Sequence, residues 1–225
     1  MVKKRITRKE LLKEPDEFMT LTGKIIQFAR KYRNPIFYGT AALMVAVLAV
    51  SGIRYYRGWK EGQASAALRQ ATARYESSGA EKKDLPAVKQ EFQKVVDKYS
   101  NYHGGKMARL LYANLLYEAG EYDPAIENYR KALEDFSEYP SLKTLIRSSI
   151  GYAYQGKKDF QAAAEQFEAM VSDPDAYMKD EALFSLGILY AELGKPEKSR
   201  EAFQKILSDY PDSSYTELVK ERLAA

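Results

Sequence analysis

The polarity pattern divides the chain into three regimes. The middle one, from Asn34 to Ile53, is twenty consecutive uncharged residues with no polar face, NPIFYGTAALMVAVLAVSGI. As a helix this run is about 30 Å long, the thickness of a bilayer's hydrocarbon core. Pro35 suits the first turn of such a helix, where its missing N–H costs nothing. Phe37 and Tyr38 mark one end, and Tyr55, Tyr56 and Trp59 the other. Amphipathic rings favour the membrane interface, and Arg33 and Arg54 bracket the run. A buried soluble helix is the alternative, against which an apolar run of this length argues. Ala49-Val50-Ser51 also resembles a signal-peptide cleavage site. The 33 residues before the run are too long and too patterned for a short leader, which favours an uncleaved anchor.

Ahead of the run, Thr7-x-x-Glu10 before Leu11 and Leu12 is a capping-box pattern for a short helix, which Pro15 should end. A second helical stretch follows. Phe18, Leu21, Ile25, Phe28 and Tyr32 recur at spacings of three and four to form one apolar seam, with Lys24, Arg30, Lys31 and Arg33 off it. A basic amphipathic helix of this kind fits an anionic leaflet, and it also fits a partner helix or a second copy of itself. Two heptads make a weak coiled coil, which favours the membrane surface.

Beyond the run the pattern repeats. Phe92-Gln-Lys-Val-Val-Asp-Lys-Tyr99, Tyr129-Arg-Lys-Ala-Leu-Glu-Asp-Phe136, Phe167-Glu-Ala-Met-Val-Ser-Asp-Pro174 and Phe203-Gln-Lys-Ile-Leu-Ser-Asp-Tyr210 read alike. Their leading aromatics lie 37, 38 and 36 residues apart. Ala113, Gly151 and Gly187 follow at 38 and 36, as do Ala125, Ala163 and Ser199. Three independent series share one period, the mark of a repeat array. Each unit reads as two helices joined by a turn, as at Gly120-Glu121 and Gly194-Lys195-Pro196. The first helix carries one small residue. The second carries another, with the aromatic four positions later on the same face. Small residues let the backbones approach, and the aromatics fill the space beside them. Pro140 and Pro211 interrupt the chain after second helices.

This pattern resembles the tetratricopeptide repeat. Residues 180–213 match through Leu183, Leu186-Gly187, Tyr190, Gly194, Phe203 and Pro211. Residues 106–139 match through Ala113, Gly120, Tyr122, Ala125, Tyr129 and Ala132, and residues 144–177 through Gly151, Tyr154, Phe160, Ala163 and Phe167. The unit at 144–177 has Lys158 where the turn glycine is expected and Gly156 two residues early, which predicts a longer turn. Residues 60–100 read as a degenerate first unit with a loop at 77–84. Residues 214–225, with Tyr215, Leu218, Val219 and Leu223, read as an end helix. The expected architecture is all-α, a helical-hairpin solenoid preceded by a single transmembrane helix. Its divisions are a basic tail at 1–33, the span at 34–53, a linker helix and degenerate repeat at 54–103, three repeats at 104–213 and the end helix at 214–225.

Composition narrows the chemistry. The 225 residues contain no cysteine and one histidine, His103, which excludes disulfide frameworks, thiolate or multi-imidazole metal sites and histidine-based triads within one chain. Carboxylates such as Glu118 and Glu121, or Asp173 and Asp175, sit at surface or turn spacings. Gly104-Gly105 lacks the rest of a phosphate-binding loop. No cofactor, metal, nucleic acid or small-molecule substrate is expected, and no enzyme activity. The net charge of +4 hides a tail of ten Lys/Arg against four acids, leaving the remainder at −2. A tail this basic predicts N-terminus in and C-terminus out, since long following domains cross regardless of charge.

The order of parts resembles a narrower family. A short tail, one membrane helix, an Arg54-Tyr55-Tyr56 exit, an Ala-rich helix, Tyr102-x-Gly104 before Ala108 and then the repeats resemble the ancillary subunit of the bacterial SecYEG translocon. The longer, more basic tail departs from that family. The resemblance implies a bacterial inner-membrane protein whose repeats face the periplasm. Its implied partners are the SecYEG translocon, periplasmic chaperones, emerging secreted chains and the inner-membrane lipid. A scaffold for envelope assembly or cell-wall machinery is the alternative. In tetratricopeptide arrays, first-helix side chains line a concave binding face. By resemblance these are Met107, Leu110, Asn114 and Tyr117, then Leu145, Ser148, Tyr152 and Gln155, then Glu181, Phe184, Ile188 and Ala191. The Lys/Asn set that clamps a C-terminal carboxylate in some relatives is missing, so the face suits an amphipathic or unfolded segment. Leu110 and Phe184 are equally suited to packing between helices, whereas Tyr117 and Tyr152 lean to surface contact.

Overall fold

The computed structural model describes residues 17–77 and 85–224. The capping box at Thr7, the side chain of Phe18 and residues 78–84 of the first loop lie outside them. The described residues form ten α-helices, and they fall into two compact units that divide between Gly58 and Trp59.

In the first unit, α1 runs Glu17–Lys31 and α2 begins at Arg33. The interruption at Tyr32 has a chemical cause. Pro35 has no N–H to give the carbonyl of Lys31. The ladder runs up to Tyr32 N–H to Phe28 O and resumes with Ile36 N–H to Tyr32 O, both at 2.9 Å. The seam residues Leu21, Ile25, Phe28 and Tyr32 are exposed. So is the whole apolar run, which is long and apolar enough to cross a membrane. Helix α2 does not stop where the run ends. It continues to Ser77, so one helix of 45 residues supplies both the run and the first helix of the array.

In the second unit, Trp59–Ser77 of α2 pairs with α3 (Leu85–Tyr99). Arg74 meets Glu91, and the Tyr99 hydroxyl donates to Gln63 Oε1 at 3.4 Å, so the two helices are antiparallel. Three more hairpins follow: α4 (His103–Glu118) with α5 (Tyr122–Asp135), α6 (Pro140–Gly156) with α7 (Phe160–Ser172), and α8 (Lys179–Glu192) with α9 (Pro196–Asp209). Helix α10 (Thr216–Ala224) closes against α9. Residues of α2 and α3 share one core cluster, and every helix from α4 onward packs on its predecessor.

The small and aromatic positions meet as their period requires. A Cβ on Gly151 would lie 2.7 Å from the Phe167 ring, and one on Gly187 would lie 2.3 Å from the Phe203 ring. The aromatic of each second helix therefore occupies the volume that the first helix leaves empty. Ser199 adds a bond of its own, donating to the Gly187 carbonyl at 2.6 Å. Between hairpins, Gly104 brings α4 onto the backbone of Ala64 and Ser65, where a Cβ would stand 2.7 Å away.

The turn within the third hairpin is not longer than its neighbours. Gly120 donates to Tyr117 O and Glu121 to Leu116 O. Lys158 donates to Gln155 O and Asp159 to Tyr154 O. Gly194 donates to Ala191 O and Lys195 to Tyr190 O. The three patterns are the same, and Lys158 takes the left-handed conformation (φ 63°) that Gly120 (75°) and Gly194 (67°) hold. A lysine accepts that backbone because the helices on either side fix the turn, at a local cost of roughly 1 kcal/mol.

Candidate functional site

Helices α4 and α6 stand side by side as the first helices of successive hairpins, and a cavity of about 260 Å³ opens between them. Asn114, Tyr117 and Glu118 of α4, Tyr129 of α5, and Ser149 and Tyr152 of α6 line it. The 38-residue period places these side chains together. Ala113 and Gly151 occupy equivalent small positions, so Asn114 and Tyr152 follow them on the same side. The buried Tyr129 hydroxyl donates to Asn114 Oδ1 at 2.6 Å, which holds the amide in the wall. The Tyr152 hydroxyl donates to Glu181 Oε1 at 2.7 Å, tying α6 to α8. Burial, reinforced by the Glu181 carboxylate, pushes the Tyr152 phenol up to about 12. Tyr117 is exposed at 37%, with its ring 5.7 Å from that of Tyr122.

A second cavity of about 220 Å³ adjoins the first, sharing Asn114 and Glu118. Its remaining walls are Thr72, Tyr75 and Glu76 of α2, Phe92 of α3, and Leu111 and Leu115 of α4. The Tyr75 hydroxyl lies 3.3 Å from both oxygens of Glu118. Neither Thr72 nor Tyr75 was legible as a wall residue in the degenerate first unit. A signal was nonetheless present: Ala71 precedes Tyr75 by four positions, as Ala113 precedes Tyr117.

The remaining candidates are dispersed. Leu110 is buried at 5% within the core of the second hairpin, where Met107 packs beside it. Ser148 is buried, its hydroxyl 3.4 Å from the same Glu181 oxygen. Gln155 is half-buried, and Leu145 and Ala191 are exposed. Phe184 and Ile188 pack into the cluster that α10 closes. Tyr215 stacks on Phe184 at 4.6 Å, and Arg222 lies over the same ring. Only Asn114, Tyr117 and Tyr152 of the expected set share the cavity between α4 and α6.

The chemistry of this wall is that of phenols, an amide, a hydroxyl and carboxylates. Tyr152 keeps its proton through the neutral range and donates a hydrogen bond to Glu181, so it serves as a fixed donor rather than a base. Among the described residues, no three of His, Asp and Glu are placed to hold a metal ion.

A family model described as "Tetratricopeptide repeat-like domain" matches residues 27–225. The chain belongs to this family. Helical repeats of this class assemble interaction surfaces, and this chain is all-α among the described residues with the hairpin array the family implies. A comparison with curated proteins found no match. Among solved structures, the chain is similar to BtubC (BKLC) from P. vanneervenii, at 12% identity and a TM-score of 0.44, covering 70% of this chain and 74% of that one.

Proposed function

We propose that this chain is a membrane-anchored repeat protein that captures polypeptide segments along the face built from the first helices of its hairpins. The observation that carries the reading is the shared cavity: Tyr117 and Tyr152, from successive units, line one opening together with Asn114. Phenol rings offer large, stiff, amphipathic contact area at little entropic cost, and such anchors dominate binding energy. The uncharged run at 34–53 supports a membrane anchor, and the ten basic residues before it support an N-terminus in the cytoplasm with the array in the periplasm. The order of parts supports a role beside the translocon or in a periplasmic chaperone network, with emerging chains or chaperones as the captured segments.

Photocrosslinking from position 117 or 152 of the full-length protein in intact membranes tests the reading. Capture of secretory chains, translocon subunits or periplasmic chaperones is the expected result. Tyr117→Ala combined with Tyr152→Phe should weaken that capture by about thirtyfold, the equivalent of roughly 2 kcal/mol at a hot spot. Unchanged capture by this double variant, with a normal melt, would move binding to another face.

A further inference from the structure

Within the array, the connections that lead into each first helix share one end, and a chain of contacts demonstrates it. The Glu61 carboxylate of α2 accepts from the N–H groups of His103 (2.9 Å) and Gly104 (3.0 Å) at the start of α4. The His103 ring meets Phe136, at the end of α5, with centroids 6.0 Å apart, and Phe136 meets Tyr139, just before α6, at 6.2 Å. The Tyr177 N–H, in the connection before α8, donates to Thr144 Oγ1 near the start of α6 at 3.4 Å. Ser213, in the connection before α10, donates to Asp180 Oδ2 at the start of α8 at 2.6 Å. Trp59 lies two residues before Glu61, at this same end.

This end presents large apolar side chains to solvent. Tyr139 is 56% exposed, Tyr177 59% and Met178 40%. Met178 also holds a left-handed backbone (φ 57°), uncommon outside glycine and asparagine and of a kind that collects at working surfaces. The turns at the other end are built instead from Gly120-Glu121, Lys157-Lys158-Asp159 and Gly194-Lys195. Core packing does not require the difference, because Tyr139, Tyr177 and Met178 lie outside the buried core of the hairpins. Tyrosine and tryptophan rings favour the headgroup layer of a bilayer, where one edge is apolar and the other wet. The chain reaches Trp59 six residues after the uncharged run ends at Ile53, so this end is tethered close to that run along the sequence. Charges at this end are mixed, Glu138, Asp175 and Asp212 beside Lys60 and Lys179, so the fit is to zwitterionic headgroups through rings rather than to anionic lipid through charge.

We infer that the end of the array carrying Tyr139, Tyr177 and Met178 docks on the headgroup layer of a zwitterionic bilayer. The inference rests on the reading of residues 34–53 as a membrane span. Because the chain has no cysteine, the variants Tyr139→Cys, Tyr177→Cys, Lys158→Cys and Val45→Cys each give one labelling site. Each full-length variant, carrying an environment-sensitive fluorophore and checked by its melting curve, is reconstituted into phosphatidylcholine–phosphatidylethanolamine vesicles doped with quencher lipids. Headgroup quenchers should dim labels at 139 and 177 at least about twofold more than the label at 158, and high salt should leave the effect intact. Acyl-chain quenchers should dim the label at 45. If 45 is quenched while 139 and 177 match 158, the docking inference alone is overturned. If 45 is not quenched, the span itself is wrong and both readings fall. Protection of 139 and 177 in native membranes but not in protein-free vesicles would assign this end to a protein and overturn the lipid.

Discussion

At the scale of single residues, the same amino acid has opposite values at different places. A Cβ on Gly187 would enter the Phe203 ring, whereas one on Gly62 meets nothing within 4 Å. Gly187→Ala should therefore destabilise the array by about 1–3 kcal/mol through overpacking. Gly62→Ala should stabilise it by about 0.5–1 kcal/mol through helix propensity. Paired denaturant melts of the two variants measure the contrast directly. Tyr152 carries a second expectation. Its folded phenol titrates near 12, above the usual value of 10, because burial and then the Glu181 carboxylate favour the neutral form. A raised acid of this kind stabilises the fold fully below pH 10 and loses that contribution as pH climbs through 12. The stability gap between wild type and Tyr152→Phe should shrink between pH 10 and 12; a gap that stays constant there would contradict the assigned environment.

At the scale of elements, turns and helix ends follow local chemistry until packing overrides it. Lys158 is such an override, a lysine held at φ 63° by two helices whose spacing its neighbours dictate. Lys158→Gly should relieve the backbone and raise stability by up to about 1 kcal/mol, offset in part by the freer unfolded chain. Loss of stability would mean the side chain makes a compensating contact. Helix α1 is the opposite case, since its seam of Leu21, Ile25 and Phe28, continued by Tyr32, has a pattern yet stays exposed. A synthetic peptide of residues 15–33 should be disordered in buffer, become helical on anionic vesicles and detach as salt rises. Dimerisation in solution without vesicle binding would favour the helix-pair reading.

At the scale of the whole molecule, stability and placement come from different parts. The core clusters of the array join residues of neighbouring hairpins, so each depends on the next. The last one depends on α10, whose Val219 is fully buried against Leu183, Phe203 and Ile206. Under the proposed membrane anchor, placement follows from the charges outside the array. Ten Lys/Arg lie before the uncharged run, and this asymmetry predicts that alkaline phosphatase fused after Ala225 is active in a Gram-negative host. An inactive fusion, with residues 54–225 protected in spheroplasts, would reverse the orientation.

The sequence by itself determined the helices, their period and their pairing. A repeat of 36 to 38 residues with a small residue facing an aromatic admits few packings, and Gly151 with Phe167 and Gly187 with Phe203 meet as that pattern requires. It also determined the unbroken apolar run, because twenty uncharged residues need no tertiary context to be recognised. Only the tertiary structure decided which first-helix positions stay open. Phe184 and Ile188 occupy the same face as Tyr117 and Tyr152 by repeat position, yet Tyr215 and α10 pack against their cluster from further down the chain. Thr72 and Tyr75 join the site because α2 continues past its apolar run and lies beside α4. Repeat position fixes the direction of a side chain relative to its own helix. Exposure depends on which neighbour stands opposite, and that neighbour is set by the stacking of the array.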